Sequence, residues 1–383
     1  MKLKKFFQVF VFAFLLLAAV SCCGSDTASL QPALKDAYKN DFLIGAALND
    51  NVVNGNDPNA AEIVEKQFSA ITAENVMKWQ IIHPSPGDYN FAPADRFVEF
   101  GLKNKMFIVG HTLVWHHQTP LWIFKGEDGN DVDRETLLAR MKDHIFTVMG
   151  RYKGKVNGWD VVNEALSDDG RLRRSKWLTI IGEDFIEKAF EFAHEADPDA
   201  ELYYNDYSLE NPGKCQGAVR IVKNLQAKSV RIDAVGCQGQ AWRLDPGSPS
   251  RKDIQNFIDS FSALGVKCMF TEMCIDVLPE AFNNAGADIR ANAQLRDELN
   301  PYVDGLPNKV QQQLAHRYAE LFTIFRENSK KISRVTLWGV YDGTSWLNYW
   351  PVRGRTSYPL LFDRKYQPKP AFFTVMKTAQ TKP

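Results

Sequence analysis

Two glutamates stand at places where a carboxylate needs a reason to be. Glu164 closes the run GWDVVNE (Gly158 to Glu164) and Glu272 sits near the end of KCMFTEM (from Lys267). Both runs otherwise read as buried β-strands, with Trp159, Val161 and Val162 suited to a pleated interior. Burying an unpaired carboxylate is expensive, so each must be paired or used. A protonated carboxyl and an ionised carboxylate facing each other across a sugar-width gap form the minimal apparatus for cleaving a glycosidic bond. Different surroundings can hold the pKa values of such a pair apart. The plainer alternative is an ion pair, for instance between Glu164 and Lys78.

The elements that would have to position them follow from periodicity. Apolar runs of strand length recur at DFLIGAAL (from Asp41), FSAITAEN (Phe68), MFIVGHTLVW (Met106), VNGWDVVNE (Val156), ELYYNDY (Glu201), IDAVGCQGQ (Ile232), KCMFTEM (Lys267) and RVTLWGV (Arg334). Helical patterns lie between them; RETLLARMKDHIFTVMGRY places Leu137, Met141, Ile145 and Val148 on one face. Strands that are apolar on both faces and alternate with helices predict a parallel sheet covered by helices. Eight of them predict an α/β (β/α)8 TIM barrel, a single catalytic domain over 41–380. An open doubly wound sheet competes, but no GxGxxG follows the first strand.

The strand ends carry the polar residues. Glu74 and Asn75 end the second run with Lys78 and Trp79 beyond, His111 ends the third and leads to Trp115, and Asn163-Glu164 end the fourth. Asn205-Asp206-Tyr207, Gln238 with Gln240, Glu272, and Trp338 with Trp346 follow. In a barrel these tips surround one mouth, where barrel enzymes keep their active sites. Asn163 is placed to hydrogen-bond a sugar hydroxyl, and Trp115, Trp338 and Trp346 to stack on the apolar face of a pyranose. A metal-dependent hydrolase using His111, His116 and His117 is the weaker alternative, since H-x-x-x-x-H-H on a strand and loop is not a usual ligand geometry.

The chain of 383 residues carries no net charge, which argues against nucleic acid as a partner. Lys2, Lys4 and Lys5 followed by the apolar Phe6 to Val20 read as a signal peptide, too short to span a bilayer. Cys22 after small residues resembles a bacterial lipoprotein site, so residues 1–22 read as a signal up to a lipidated Cys22, with Cys23 or plain secretion as alternatives. Residues 23–40 read as a tether, and the protein is expected outside the cytoplasm, lipid-anchored in the cell envelope. Cys215, Cys237, Cys268 and Cys274 read as small buried apolar residues.

The motifs EN-x-x-KW (Glu74 to Trp79), GHTLVWH (Gly110 to His116), WDVVNE, YYNDY, TEM ahead of VLP, DGLP, WGV-x-D-x-x-SW (Trp338 to Trp346) and PLLFD occur in order. This pattern resembles a family 10 glycoside hydrolase, an endo-β-1,4-xylanase. The resemblance implies a monomer acting on xylan or xylo-oligosaccharides with no metal or organic cofactor. It implies Glu164 as general acid/base and Glu272 as nucleophile of a retaining double displacement. Asn163, His111, Trp115, Trp338 and Trp346 would shape the site around the sugar being cleaved. Glu74, Asn75 and Lys78 would bind its neighbour on the non-reducing side, Gln238 would sit near the nucleophile, and Tyr207 on the leaving-group side.

Two positions depart from the family pattern. Gln240 stands where His is usual and Cys274 where Asp is usual. Loss of both is self-consistent: the Gln amide can still donate to Glu272, and a thiol demands no partner. Asp276, on the same strand face by alternation, is a candidate substitute for the missing Asp. A sugar-binding protein with weakened or lost catalysis is the second expectation that these changes raise.

Overall fold

In the computed structural model, the described residues are 33–245, 247–281 and 294–381. The expected strands form at Leu43–Leu48 (β1), Ala70–Ala73 (β2), Phe107–Val114 (β3), Gly158–Asn163 (β4), Glu201–Asp206 (β5), Ala234–Cys237 (β6), Lys267–Met273 (β7) and Ile332–Leu337 (β8). They pair in parallel in the order β1-β8-β7-β6-β5-β4-β3-β2 and close into a barrel. Register shifts interrupt the ladders between His111 and Val114 on β3 and between Asp160 and Val162 on β4. Such irregularities re-aim side chains near a strand end.

Side chains fill the barrel. Val109, Tyr203, Ala234 and Met269 pack together with Phe107 against them, and the buried Arg334 guanidinium lies over the rings of Phe107 and Tyr203. Gly158 makes room for this layer, because a Cβ there would come within 2.2 Å of the Tyr203 hydroxyl. Outside the barrel, the predicted helix over Arg134–Tyr152 is capped by the Asp133 side chain, and Arg251–Ser262 begins with a capping box between Ser250 and Asp253. Helices Pro58–Gln67, Ala92–Lys103, Phe185–Ala196, Pro212–Ala227, Asn308–Glu327 and Pro370–Gln380 complete the shell.

The body starts earlier than the expected 41, so the tether reading of 23–40 is too long. Leu34 and Tyr38 are fully buried, the Leu34 N–H donates to Gln67 Oε1 (3.0 Å), and the Tyr38 hydroxyl donates to the Val375 carbonyl (2.7 Å). A helix of four residues, Leu34–Ala37, is too short to show periodicity in sequence. Cys22 and the segment read as a signal peptide lie outside the described residues, as do residues 282–293. Among the described residues no helix is long and apolar enough to cross a membrane. Cys215, Cys237, Cys268 and Cys274 are buried free thiols.

Candidate active site

The strand tips open into one cleft of about 760 Å³. All the predicted site residues line it: Glu74, Asn75, Lys78, His111, Trp115, Asn163, Glu164, Tyr207, Gln238, Gln240, Glu272, Trp338 and Trp346. Glu164 is 9% exposed and Glu272 3%, so both carboxylates are withdrawn from bulk water.

Each of the four carboxylate oxygens receives one neutral N–H donor. Trp115 Nε1 donates to Glu164 Oε2 (2.9 Å) and Gln238 Nε2 to Glu164 Oε1 (3.0 Å). Asn205 Nδ2 donates to Glu272 Oε1 (2.8 Å), and Gln240 Nε2 donates to Glu272 Oε2. The two halves meet at Asn163, whose Oδ1 accepts from Asn205 Nδ2 (3.0 Å) and from Gln238 Nε2 (3.3 Å). The backbone joins them as well: the Glu164 N–H donates to the Asn205 carbonyl and the Glu272 N–H to the Gln238 carbonyl, both at 2.8 Å. Glu272 is pushed well above the usual carboxylate range, first by burial and then by the charge of Glu164, while the Asn205 donor pulls it back.

The ion-pair alternative for Glu164 does not hold in its simple form. The Lys78 ammonium donates to Asn75 Oδ1 (3.1 Å) and lies 5.1 Å from the centre of the Trp115 ring. Burial lowers its pKa, opposed by the charges of Glu74, Glu272 and Glu164. Glu74 in turn is raised by burial and lowered by Lys78. Lys78 is thus linked electrostatically to Glu74, Glu272 and Glu164 rather than to Glu164 alone.

His111 Nδ1 lies 2.8 Å from Asp160 Oδ2, with both groups buried. Burial lowers the His111 pKa and Asp160 opposes it. A carboxylate on Nδ1 would leave Nε2 available to a metal, but among the described residues no group of His, Cys, Asp and Glu is placed to hold a metal ion. Trp338 meets His111 edge to face, and Trp346 stacks on Trp350 with centroids 5.2 Å apart.

The two departures from the family pattern fit each other. Gln240 supplies the donor to Glu272, and Cys274 Sγ accepts from the Ala241 N–H (3.2 Å) with its thiol pushed up to about 12 by burial. Asp276 does not replace the missing Asp. It is bound by Arg243 (3.2 Å) and approached by Arg355 (3.6 Å), and it caps the Leu278 N–H. Gln238 lies beside Glu272 as expected, joined to it through the backbone, and its amide serves Glu164 and Asn163.

Several residues that organise the site were not singled out beforehand. Asn205 was visible only as a strand tip, yet it stands in register with Asn163 and carries Glu272. Asp160 stands in register with His111. Thr271 fixes Asn205 by donating to its Oδ1 (2.6 Å), and Arg173 and Asp168 come from a loop.

A closed (β/α)8 barrel with two buried, separately held carboxylates and indole walls in its C-terminal cleft defines a barrel glycoside hydrolase. The chain belongs to glycosyl hydrolase family 10, whose family model matches residues 33–378. Endo-1,4-beta-xylanase A of Xylanibacter ruminicola is 47% identical over 347 residues, covering 91% of this chain and 93% of that protein. The beta-1,4-xylanase of Dictyoglomus thermophilum is 44% identical, covering 90% and 91%. Among solved structures, a GH10 endoxylanase retrieved from a sugarcane soil metagenome superposes with a TM-score of 0.86 at 46% identity, covering 90% of this chain and 99% of that one.

Proposed function

We infer that this family 10 endo-1,4-β-xylanase hydrolyses xylan by a retaining double displacement, with Glu272 as nucleophile and Glu164 as general acid/base. A Glu272 oxygen attacks the anomeric carbon while the Glu164 proton passes to the departing glycosidic oxygen, leaving a glycosyl ester on Glu272. Water then attacks that carbon, Glu164 takes its proton, and the Glu272 carboxylate departs, so two inversions restore the starting configuration. The observation that carries this reading is the set of four neutral donors, one per carboxylate oxygen, which holds both head groups in one cleft. The reaction needs Glu272 ionised and the proton on Glu164, and the Asn205 and Gln240 amide donors favour the charged form of Glu272.

The indoles of Trp115, Trp338 and Trp346 supply faces for the sugar being cleaved. Glu74, Asn75 and Lys78 bind its neighbour on the non-reducing side, and Tyr207 meets the leaving-group sugar. Catalysis is retained despite Gln240 and Cys274, since the nucleophile still has a donor on each oxygen.

The stereochemistry of azide capture tests the roles. Glu164→Ala with an activated aryl xylobioside and azide should yield the β-azide, because azide attacks the ester from the vacated face. Glu272→Ala should yield the α-azide by direct displacement. The opposite outcome exchanges the two roles, and an inverted product from the unmodified enzyme on unbranched xylan rejects the double displacement.

We also propose that the mature chain is exported and lipid-anchored through Cys22, on the basis of the basic, apolar and small-residue segments that precede it. Incorporation of labelled palmitate in the wild type and its loss in Cys22→Ala is the expected result; labelling that persists points to Cys23, and none at all to plain secretion.

A further inference from the structure

The loop after β4 folds back on itself. Leu166 and Leu172 face each other as an antiparallel bridge, the Ser167 N–H donates to the Arg171 carbonyl (2.8 Å) and the Arg173 N–H to the Ala165 carbonyl (2.7 Å). Its turn, at Gly170, is docked on helix Pro212–Ala227: a Cβ there would lie 2.2 Å from the Gly213 carbonyl oxygen, and Arg220 Nη2 donates to the Gly170 carbonyl (2.7 Å). The hairpin is an anchored frame.

From that frame the Arg173 side chain reaches back to Glu164. Its Nε donates to the Glu164 carbonyl (3.2 Å), and its Nη2 donates to the Leu166 carbonyl (2.8 Å) and the Tyr207 hydroxyl (2.7 Å). Tyr207 in turn donates to Asp168 Oδ1 (2.6 Å), and both line the cleft. Glu164 has φ 55°, in the left-handed region that costs a non-glycine residue energy and persists only when its surroundings impose it. One contact on its N–H, from Asn205, and one on its carbonyl, from Arg173, impose it here.

We propose that Arg173 is a positioning residue that holds the Glu164 backbone in its left-handed conformation and so aims the carboxyl at the departing oxygen. The inference rests on the acid/base reading of Glu164. Arg173 fixes the acid from the main chain, while Trp115 and Gln238 fix it from the carboxyl end, and misaiming the acid harms only those reactions that need a proton.

The experiment compares kcat/KM, which reports the first displacement, for phenyl and 2,4-dinitrophenyl β-xylobioside in the wild type, Arg173→Met and Glu164→Ala. The phenolate needs protonation to leave and the dinitrophenolate hardly does. Arg173→Met is expected to lose about 10²-fold on the phenyl substrate, the usual scale of general acid catalysis, and little on the dinitrophenyl one. Equal losses on both substrates, or no loss on either, overturn the proposal. Should Arg173→Met fail to fold, Arg173→Lys, which keeps the charge and loses the forked reach, is read by the same criterion. If Glu164→Ala itself shows no dependence on the leaving group, the acid/base reading fails instead.

Discussion

Asn205 places its amide nitrogen 2.8 Å from Glu272 Oε1 while its own oxygen accepts from Thr271 at 2.6 Å. The amide is thereby oriented: the oxygen is committed to a donor, so nitrogen must face the carboxylate. Through Asn163 the same nitrogen also touches the Glu164 half of the site.

Removing that donor should cost turnover more than binding. A hydrogen bond to a charged group is worth roughly 1.5–3 kcal/mol, so Asn205→Ala should lower kcat by about 10- to 100-fold. Steady-state kinetics on xylohexaose, with thermal unfolding to verify the fold, checks it; a rise in KM at constant kcat would reassign Asn205 to substrate binding.

Gly236 leaves the space in which this amide is held. A Cβ at 236 would lie 2.5 Å from Asn205 Oδ1 and 2.6 Å from Thr271 Cγ2. Gly236→Ala should therefore break the Thr271–Asn205 bond and reproduce the kinetic defect of Asn205→Ala. In the double variant the two losses should not add, because they act on one contact. Additive losses would show separate effects.

Gln240 and Cys274 should be coupled in the same sense. A histidine at 240 that donates to Glu272 from one ring nitrogen would leave the other nitrogen facing Cys274 without a strong partner, which costs about 1–3 kcal/mol when buried. Gln240→His alone should depress kcat, and Gln240→His with Cys274→Asp should restore or raise it, since a carboxylate at 274 would accept from both the imidazole and the Ala241 N–H. A double-mutant cycle on kcat with zero interaction energy would refute the coupling. Asp276 cannot intervene, being held by its arginines.

Acid should weaken the fold through buried imidazoles. His83 and His144 face each other through their Nδ1 atoms at 3.3 Å, and the His144 and Trp79 ring centroids lie 3.7 Å apart with the planes tilted by 30°. Burial lowers the pKa of both from the ordinary 6.5, His144 strongly, and the nearby charges of Asp143 and Asp88 only partly restore that of His83. The unfolded chain takes up protons near 6.5 and the folded chain does not, so stability is full above that pH and falls below it, by up to about 1.4 kcal/mol per unit for each such group. Urea unfolding at about pH 7.5 and about pH 5.5 should show this loss, and His144→Phe should reduce it. An unchanged difference in the variant would assign the acid sensitivity elsewhere.

Much of this was readable in the sequence because barrel strands write a simple code. Runs such as MFIVGHTLVW are apolar on both faces and turn polar only at the tip, so counting runs gives the barrel and reading tips gives the cleft. The code fails where it carries no direction. Alternation puts Gln238 on the cleft face but cannot say which carboxylate its amide reaches; the answer depends on Asn163 of a strand two positions away in the ring. Arg173 sits in a loop without periodicity, and its relation to Glu164 exists only once the hairpin closes. Leu34 and Tyr38 anchor a four-residue helix whose burial depends on the C-terminal helix, some 337 residues later in the chain.

The four unbridged thiols of the barrel body have a practical corollary. Each is walled off by side chains, so a reductant finds nothing to cleave there and a mild oxidant nothing to reach. A barrel body built this way folds without forming disulfides and keeps its shape whether its surroundings are aerated or anoxic.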